Sequence, residues 1–93
     1  MESMGTFYAV YVLCCADGTY YTGIAQDVER RVREHNGSSK GAKYTKSRRP
    51  VALVYAESIG SRSEALKREY AIRHLTRAEK KALISKRSIN FVP

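Results

Sequence analysis

The chain has 93 residues, enough for one domain with a small core, and no apolar run approaches the roughly 18 residues of a membrane span. Its formal net charge of +8 favours attraction to polyanions, with nucleic acid the foremost candidate. No lipidation motif or basic amphipathic helix favours a membrane surface, and no secretory leader is evident, so we expect a cytoplasmic protein. The adjacent Cys14 and Cys15 point to opposite faces of a strand and receive no role.

A β-hairpin opens the predicted fold. Residues 7–15 form an apolar run rich in Val and Tyr, which predicts a strand buried on both faces. Residues 19–24 form the second strand. A two-residue turn would place Tyr11 and Tyr21 on opposite faces of the sheet. We favour a three-residue turn, residues 16–18, with Gly18 left-handed in a bulge.

This turn fixes the register of the hairpin. Cys15 pairs with Thr19, and Tyr11 lies opposite Gly23. Tyr11 and Tyr21 then become diagonal neighbours on one face. Gly23 leaves a gap opposite the Tyr11 ring, where a ligand or another backbone could approach. On residue type alone, the favoured interpretation is that both rings simply belong to the core.

The first helix begins at an Asp27 cap and ends near Asn36, with Asn36-Gly37 as its stop signal. Val28 and Val32 mark its inward stripe, and two polar residues flank that stripe, namely Arg31 and His35. The remaining charged residues are expected to point away, namely Glu29, Arg30, Arg33 and Glu34. Side chains turned toward the sheet need a partner, so His35 is either a hydrogen-bonded structural residue or part of a site beside the tyrosines.

Residues 38–50 form a basic loop without acidic residues. Basic side chains interleaved with one aromatic suit a phosphate backbone with a stacked base, whereas a flexible linker is the alternative. The predicted nucleic-acid contacts are Lys40, Lys43, Tyr44, Lys46, Arg48 and Arg49. Residues 51–56 are predicted to form a third, fully buried strand.

A capping box of Ser61 and Glu64 opens the next helix, which runs to about His74. Its buried stripe contains Glu69 among apolar residues, namely Ala65, Leu66 and Ile72. A carboxylate on an apolar face is costly unless it is paired or bound to a cation. A structural ion pair with Arg73 and a metal role are equally good interpretations.

A second capping box, Thr76 with Glu79, opens a last helix to about Ser85 whose basic residues suggest a solvated face. The expected architecture is a single α+β domain with a small, three-stranded, mainly antiparallel sheet, in the order β-β-α-β-α-α. Its core covers residues 7–85, and the tails on either side are expected to be mobile.

The unusual residues would permit phosphodiester hydrolysis. This reaction needs a base for water, a cation for the developing charge and a metal to polarise the phosphate. Arg31 near a tyrosine favours the ionised phenol, which would make the tyrosine a usable base. Glu69 suits one Mg²⁺ ion that keeps waters and shares substrate oxygens.

The ordered motifs resemble the GIY-YIG nuclease superfamily, and most of all its small bacterial YhbQ-like members. The segments that carry the resemblance are Ala9–Tyr11, Tyr21–Gly23, Asp27–Arg31 with His35, Gly41–Thr45 and Arg62–Tyr70. The first motif lacks the glycine of the family pattern, and the family's late asparagine has no assigned counterpart.

The resemblance implies a role for each matched position. Tyr11 would act as the base or activate water, Tyr21 would position water or phosphate, and Gly23 would allow close approach. Arg31 would stabilise the phosphate charge, and His35 would assist Tyr11.

The resemblance also implies a divalent metal at Glu69, one Mg²⁺ or Mn²⁺ ion, and an endonuclease that hydrolyses DNA, including structured DNA, or RNA. Two alternatives stay open from the sequence. One is a non-catalytic DNA- or RNA-binding module with the same fold, and the other is an adaptor whose basic surface meets an acidic protein. The oligomeric state is left unassigned.

Overall fold

Three antiparallel strands form one sheet in the spatial order β2-β1-β3. A computed structural model describes residues 7–87, so the expected mobile tails, residues 1–6 and 88–93, lie outside the described residues. The elements in chain order are β1 (Tyr8–Cys14), β2 (Tyr20–Ala25), α1 (Val28–Gly37), α2 (Lys43–Lys46), β3 (Ala52–Gly60), α3 (Arg62–Arg73) and α4 (Arg77–Arg87). The predicted α+β architecture is confirmed, and α2 is an addition within the predicted loop.

The central strand β1 is buried on both faces, as its unbroken apolar sequence predicts. On one face, Tyr11 and Leu13 pack into a cluster with Val28 of α1. On the other, Val10 and Val12 pack with residues of α3, α4 and β3, namely Ala65, Ile72, Tyr55, Leu83 and Ile84. The sheet therefore separates two apolar layers, and β2 and β3 are its edges.

The hairpin has the predicted bulged register. Gly18 is left-handed with a φ of 85°, and its N–H donates to the Cys15 carbonyl at 2.9 Å. Tyr11 lies opposite Gly23, and the rings of Tyr11 and Tyr21 share one face with centroids 6.5 Å apart. The extra residue in the turn thus keeps both phenols on the same side of the sheet.

The third strand differs from its prediction. It spans Ala52–Gly60, and only Tyr55 and Ala56 within it are buried. The reason is its place at the edge of the sheet, where it pairs with β1 alone and its ends lie at the rim. Val51 is buried but precedes the strand, and both backbone groups of Val51 are bonded by the Asn36 side chain, at 2.7 and 3.0 Å.

Helix α1 begins after Asp27, whose carboxylate accepts from the Arg30 N–H at 3.1 Å, as predicted. The predicted stop is displaced, because Gly37 belongs to the helix and Ser38 is the cap, with an extended backbone. Asn36 faces Val51 instead of capping the helix. Glu34, predicted to point away from the inward stripe, pairs with Arg31 at 2.9 Å, three residues earlier on the helix surface.

Both predicted capping boxes are present, at the starts of α3 and α4. Ala65 and Ile72 are fully buried, whereas Leu66 is 38% exposed and does not belong to the buried stripe. Leu66 follows Ala65 by one residue, about 100° around the helix, and lines a cleft instead. Among the described residues, no helix combines the length and apolar composition needed to cross a membrane.

Candidate functional site

A cleft of about 600 Å³ opens along the edge of the sheet at β2. It is lined by residues from both layers, because Tyr21 packs with the α1 layer and Tyr20 packs with the α3–α4 layer. Of the predicted site residues, the cleft brings together Tyr11, Tyr21, Gly23, Arg31, Tyr44 and Glu69. The carboxylate and the phenols therefore converge from opposite faces of the sheet around its free edge.

His35 lies behind the cleft in direct contact with Tyr11. The imidazole is fully buried, and its Nε2 is 2.8 Å from the Tyr11 hydroxyl. Its Nδ1 is 2.8 Å from the hydroxyl of Thr45, which is also fully buried, in α2. The Thr45 hydroxyl lies 3.0 Å from the carbonyl of Ala42. Four residues from β1, α1 and the following segment thus form one continuous hydrogen-bonded chain.

The Ala42 carbonyl, at the end of this series of hydrogen bonds, fixes which group donates and which accepts in each of them. A carbonyl can only accept, so the single proton of the Thr45 hydroxyl goes to the Ala42 carbonyl. Thr45 must then accept from His35 Nδ1–H, which leaves Nε2 of the neutral ring as an acceptor. The Tyr11 hydroxyl consequently donates to His35 Nε2. The proton of Tyr11 points away from the cleft, toward the imidazole.

The electrostatics of this pair differ from the expectation of an ionised phenol. Burial, and next the neighbouring Tyr21, raise the pKa of Tyr11 to about 12, although Arg31 acts in the opposite direction as predicted. Burial, reinforced by the positive charge of Arg31, lowers the pKa of His35 to about 4. Both groups are therefore neutral near pH 7. Desolvation outweighs the adjacent cation at Tyr11, whereas burial and the cation act in the same direction at His35.

Titration of His35 predicts a loss of stability in mild acid. The pKa of about 4 lies below the unfolded value of 6.5, so the unfolded chain takes up the proton first as the pH falls. The stabilising contribution of the neutral imidazole is fully present above pH 6.5. The free energy of unfolding should fall by about 2 kcal/mol between pH 7 and 5 as this contribution is lost. Urea unfolding over this range measures it.

The matched variants for this experiment use the two histidines. His35→Gln should remove most of the pH dependence between pH 7 and 5, at a cost in stability at pH 7 from the broken bond to Tyr11. His74→Gln changes an exposed histidine and should leave the dependence intact. An unchanged slope in His35→Gln would contradict the assignment.

Gly23 does not leave an open gap opposite Tyr11. A Cβ at this position would lie 2.6 Å from the Tyr11 hydroxyl oxygen and 2.8 Å from Cζ, closer than atoms can approach. The end of the phenol itself occupies the space over Gly23. Glycine is required here by the Tyr11 ring, which leans across β2 to reach the cleft.

Arg31 is held at the cleft by its own helix and by the basic loop. Its Nη1 donates to the Glu34 carboxylate at 2.9 Å and to the Lys40 carbonyl at 2.8 Å. The side chain keeps 28% of its surface exposed. A guanidinium restrained in this way, beside the Tyr11 hydroxyl, is a preorganised positive group facing the cleft.

Glu69 forms an ion pair and also faces the cleft, so both interpretations of its sequence position remain open. Its side chain is only 12% exposed and pairs with Arg73 at 3.1 Å. It also lines the cleft, and its charge helps burial to raise the pKa of Tyr21. Within residues 7–87, no three His, Cys, Asp or Glu side chains come together. A single carboxylate fits Mg²⁺ if water and substrate oxygens supply the other ligands.

The basic loop divides into internal and external residues. Arg49 donates to carbonyls at the end of α1, including that of Ser38 at 2.6 Å. Arg48 pairs with Asp17 of the hairpin turn at 3.0 Å and lies 3.9 Å over the Tyr44 ring. The loop is thus an ordered structure tied to α1 and to the hairpin. A nucleic-acid contact by either arginine stays a prediction.

The remaining predicted contacts are exposed. Tyr44 is 37% exposed and stacks with Tyr21, the ring centroids being 5.9 Å apart. Three lysines surround it on the same segment, namely Lys40, Lys43 and Lys46, and among the described residues their ammonium groups have no ion pair. Their binding to nucleic acid also stays a prediction.

Sequence reasoning missed two residues of the cleft region. Thr45 fixes the orientation of His35, and the only signal was its place in the Gly41–Thr45 motif. Lys80 of α4 lines the cleft, although the basic residues of that helix suggested a solvated face. Neither position has a periodicity that distinguishes it, because both act through contacts between distant segments.

Comparison with known proteins identifies the family of this chain. Residues 7–82 match the family model described as the GIY-YIG catalytic domain. The chain is 60% identical to a UPF0213 protein of Halobacterium salinarum over 74 residues, which cover 80% of this chain and 95% of that protein. It is 59% identical to one of Desulfotalea psychrophila over 75 residues, covering 81% and 68%, respectively.

Solved structures also match this chain. The solution structure of the UPF0213 protein BH0048 of Bacillus halodurans matches with a TM-score of 0.58 and 43% identity. This match covers 90% of this chain and 88% of that protein. Because the family model covers residues 7–82 and these relatives are 59% and 60% identical over most of the chain, the protein belongs to the GIY-YIG nuclease domain family, within the UPF0213 group.

Proposed function

We propose that this protein is a divalent-metal-dependent endonuclease that hydrolyses phosphodiester bonds in DNA or RNA. The single observation that carries the proposal is the convergence, in one cleft, of Tyr11, Tyr21, Arg31 and Glu69 from both layers of the sheet. These groups supply a proton acceptor, a fixed cation and a carboxylate at one place. Neither a solvated surface nor an apolar core would be expected to bring these groups together.

The proposed base is the Tyr11–His35 pair and not an isolated phenolate. Because Tyr11 is neutral near pH 7, it can accept a proton from water only by giving up its own. Its hydroxyl proton is directed at His35 Nε2, 2.8 Å away, and the neutral imidazole can accept that proton. Water would pass a proton to the phenol oxygen as the phenol proton moves to the imidazole.

The attacking water oxygen forms a new bond to phosphorus as one ester P–O bond breaks. Arg31 would meet the negative charge that grows on the phosphate oxygens, without having to reorganise, since Glu34 and Lys40 already hold it. Tyr21 lies beside Tyr11 and would hydrogen-bond the water or a phosphate oxygen. Overall, the phosphate gains the water hydroxyl, and the leaving oxygen gains a proton.

Glu69 is the residue that would hold the metal. A divalent ion bound there would polarise the scissile phosphate as a Lewis acid. The ion pair with Arg73 serves a second purpose, because it orients the carboxylate on the cleft side of α3. The burial of Glu69 beside Tyr21 keeps the charge in a region of reduced solvent screening.

The test is a cleavage assay with the purified protein on single-stranded, nicked and branched DNA and on RNA, with Mg²⁺, Mn²⁺ or EDTA. We expect metal-dependent cleavage that Arg31→Ala lowers by about 10²–10³-fold, as for the loss of a group that stabilises transition-state charge. Arg33→Ala, an exposed position on the same helix, is the matched control.

Equal cleavage by wild type and Arg31→Ala would reveal a contaminating nuclease and overturn the proposal. Salt-sensitive binding without turnover on any substrate would instead support the non-catalytic binding module. A pull-down of an acidic protein that survives nuclease treatment would support the adaptor.

A further inference from the structure

The wall of the cleft formed by α3 and α4 carries positive charge that the proposed mechanism does not use. Arg73 and Lys80 line the cleft on this side. The Arg77 guanidinium lies 4.8 Å from the ring centroid of Tyr20, which also lines the cleft. Three cations from two helices therefore flank the cleft opposite the wall that holds Tyr44 and Arg31.

Lys80 is the cation of this wall that is free to bind an anion. Arg73 is neutralised by Glu69 at 3.1 Å, and the charge of Arg77 is spread over an aromatic ring. Lys80 is half-buried, and within the described part of the chain its ammonium group makes neither a hydrogen bond nor an ion pair. A partly desolvated ammonium without a partner gains more from an anionic ligand than a fully solvated one does.

The geometry of the cleft indicates which anion this is. The two walls are separated by the free edge of the sheet at β2, and the cleft passes across that edge. A strand of nucleic acid with one phosphate at Arg31 must continue past it, and the cleft offers a path across the sheet edge toward the α3–α4 wall. On the wall across the sheet edge from Arg31, Lys80 is the cleft-lining cation that has no acidic partner among the described residues.

We infer that Lys80 binds a backbone phosphate next to the one held at Arg31, with the nucleic-acid strand crossing the sheet edge at β2. The inference rests on the proposed function for the identity of the ligand. It assigns α4 a part in substrate binding and makes the α3–α4 wall the second contact surface, beside the basic loop.

The test compares Lys80→Gln with Lys81→Gln, an exposed lysine one residue further on the same helix. Binding of a fluorescent oligonucleotide is measured by anisotropy in EDTA, so that no turnover occurs, over about 50–200 mM salt. Lys80→Gln should weaken binding several-fold and lower the slope of log K against log salt by about 0.7–0.9. Lys81→Gln should change both less, and Lys80→Arg should restore binding.

A neutral methylphosphonate, moved one linkage at a time along the oligonucleotide, locates the contact. One position should weaken binding by the wild type but have little further effect on Lys80→Gln. Equal losses in Lys80→Gln and Lys81→Gln, or no such position, overturn the inference and leave the proposed function intact. Dependence of binding on Lys80 without cleavage overturns the proposed function alone, and absence of binding by the wild type overturns both.

Discussion

Replacing Tyr11 by phenylalanine is expected to lower cleavage by about 10²–10⁴-fold, the range typical of general-base catalysis, while nucleic-acid binding stays close to that of the wild type. The phenol oxygen is the only atom removed. Tyr11 lines the cleft, and the proton of this oxygen is directed at His35. Single-turnover cleavage at saturating protein measures the chemical step apart from binding.

The control for this variant is Tyr55→Phe. Tyr55 is equally buried, at 1% exposed, and its hydroxyl also makes one side-chain bond, to Glu57 at 2.9 Å. It lies in the other apolar layer, away from the cleft. Tyr11→Phe should lose about 1–3 kcal/mol of stability because it leaves His35 Nε2 buried without a partner, whereas Glu57 keeps its bond to Arg68 in Tyr55→Phe. Only Tyr11→Phe should lose cleavage. Similar cleavage by the two variants would contradict the role of Tyr11.

Substitution of Thr45 tests whether the tautomer of His35 matters for cleavage while the imidazole itself is kept. Thr45→Val removes the acceptor of His35 Nδ1–H, so the imidazole can adopt the other tautomer and present N–H to Tyr11. Part of the cleavage rate should be lost with the binding constant unchanged, and Thr45→Ser, which keeps the hydroxyl, should restore the rate. Equal rates in Thr45→Val and Thr45→Ser would assign Thr45 to packing alone.

The second large effect is expected for Glu69→Gln. This nearly isosteric change removes the charge that would hold the metal, and cleavage should fall by about 10³–10⁴-fold, the equivalent of several kcal/mol of transition-state stabilisation. Binding of nucleic acid in EDTA should persist or strengthen, because one negative charge leaves the cleft. Cleavage rates against Mg²⁺ concentration provide the measurement.

Two variants on the same helix distinguish a metal role from a structural one. Glu64→Gln removes a charge at the capping box of α3, where glutamine serves nearly as well, and it should cleave normally. Arg73→Gln breaks the same ion pair from the other side. If Glu69 acted only in that pair, Arg73→Gln and Glu69→Gln would have the same stability and both would cleave like the wild type.

Local patterns were sufficient to predict the hairpin and the two capped helices. Gly18 in a three-residue turn decided on which face Tyr21 lies, and the prediction is confirmed by the pairing of Tyr11 with Gly23. Ser61 and Glu64 located the start of α3 to the residue. Such features depend on neighbours in sequence, so the sequence contains all the information needed for them.

Interactions between distant segments were not predictable in the same way. The burial of Tyr11 determines the sign of its pKa shift, and no local pattern shows that burial outweighs Arg31. The guanidinium of Arg49 is used within the fold, on carbonyls of α1, where composition alone suggested a free cation. Lys80 enters the cleft only because α3 and α4 pack beside β2.

Tyr11 and His35 are buried, at 1% and 0% exposed, so the stability of the fold depends on both rings. A lineage that no longer used the chemistry would still be penalised for losing either ring, since each fills the core and satisfies the other. Glu69 and Arg31 do not fill the core in this way, because each pairs with a neighbour on its own helix, Arg73 and Glu34, respectively. If the proposed chemistry were lost in part of the UPF0213 group, we would expect the carboxylate and the guanidinium to change before the two buried rings.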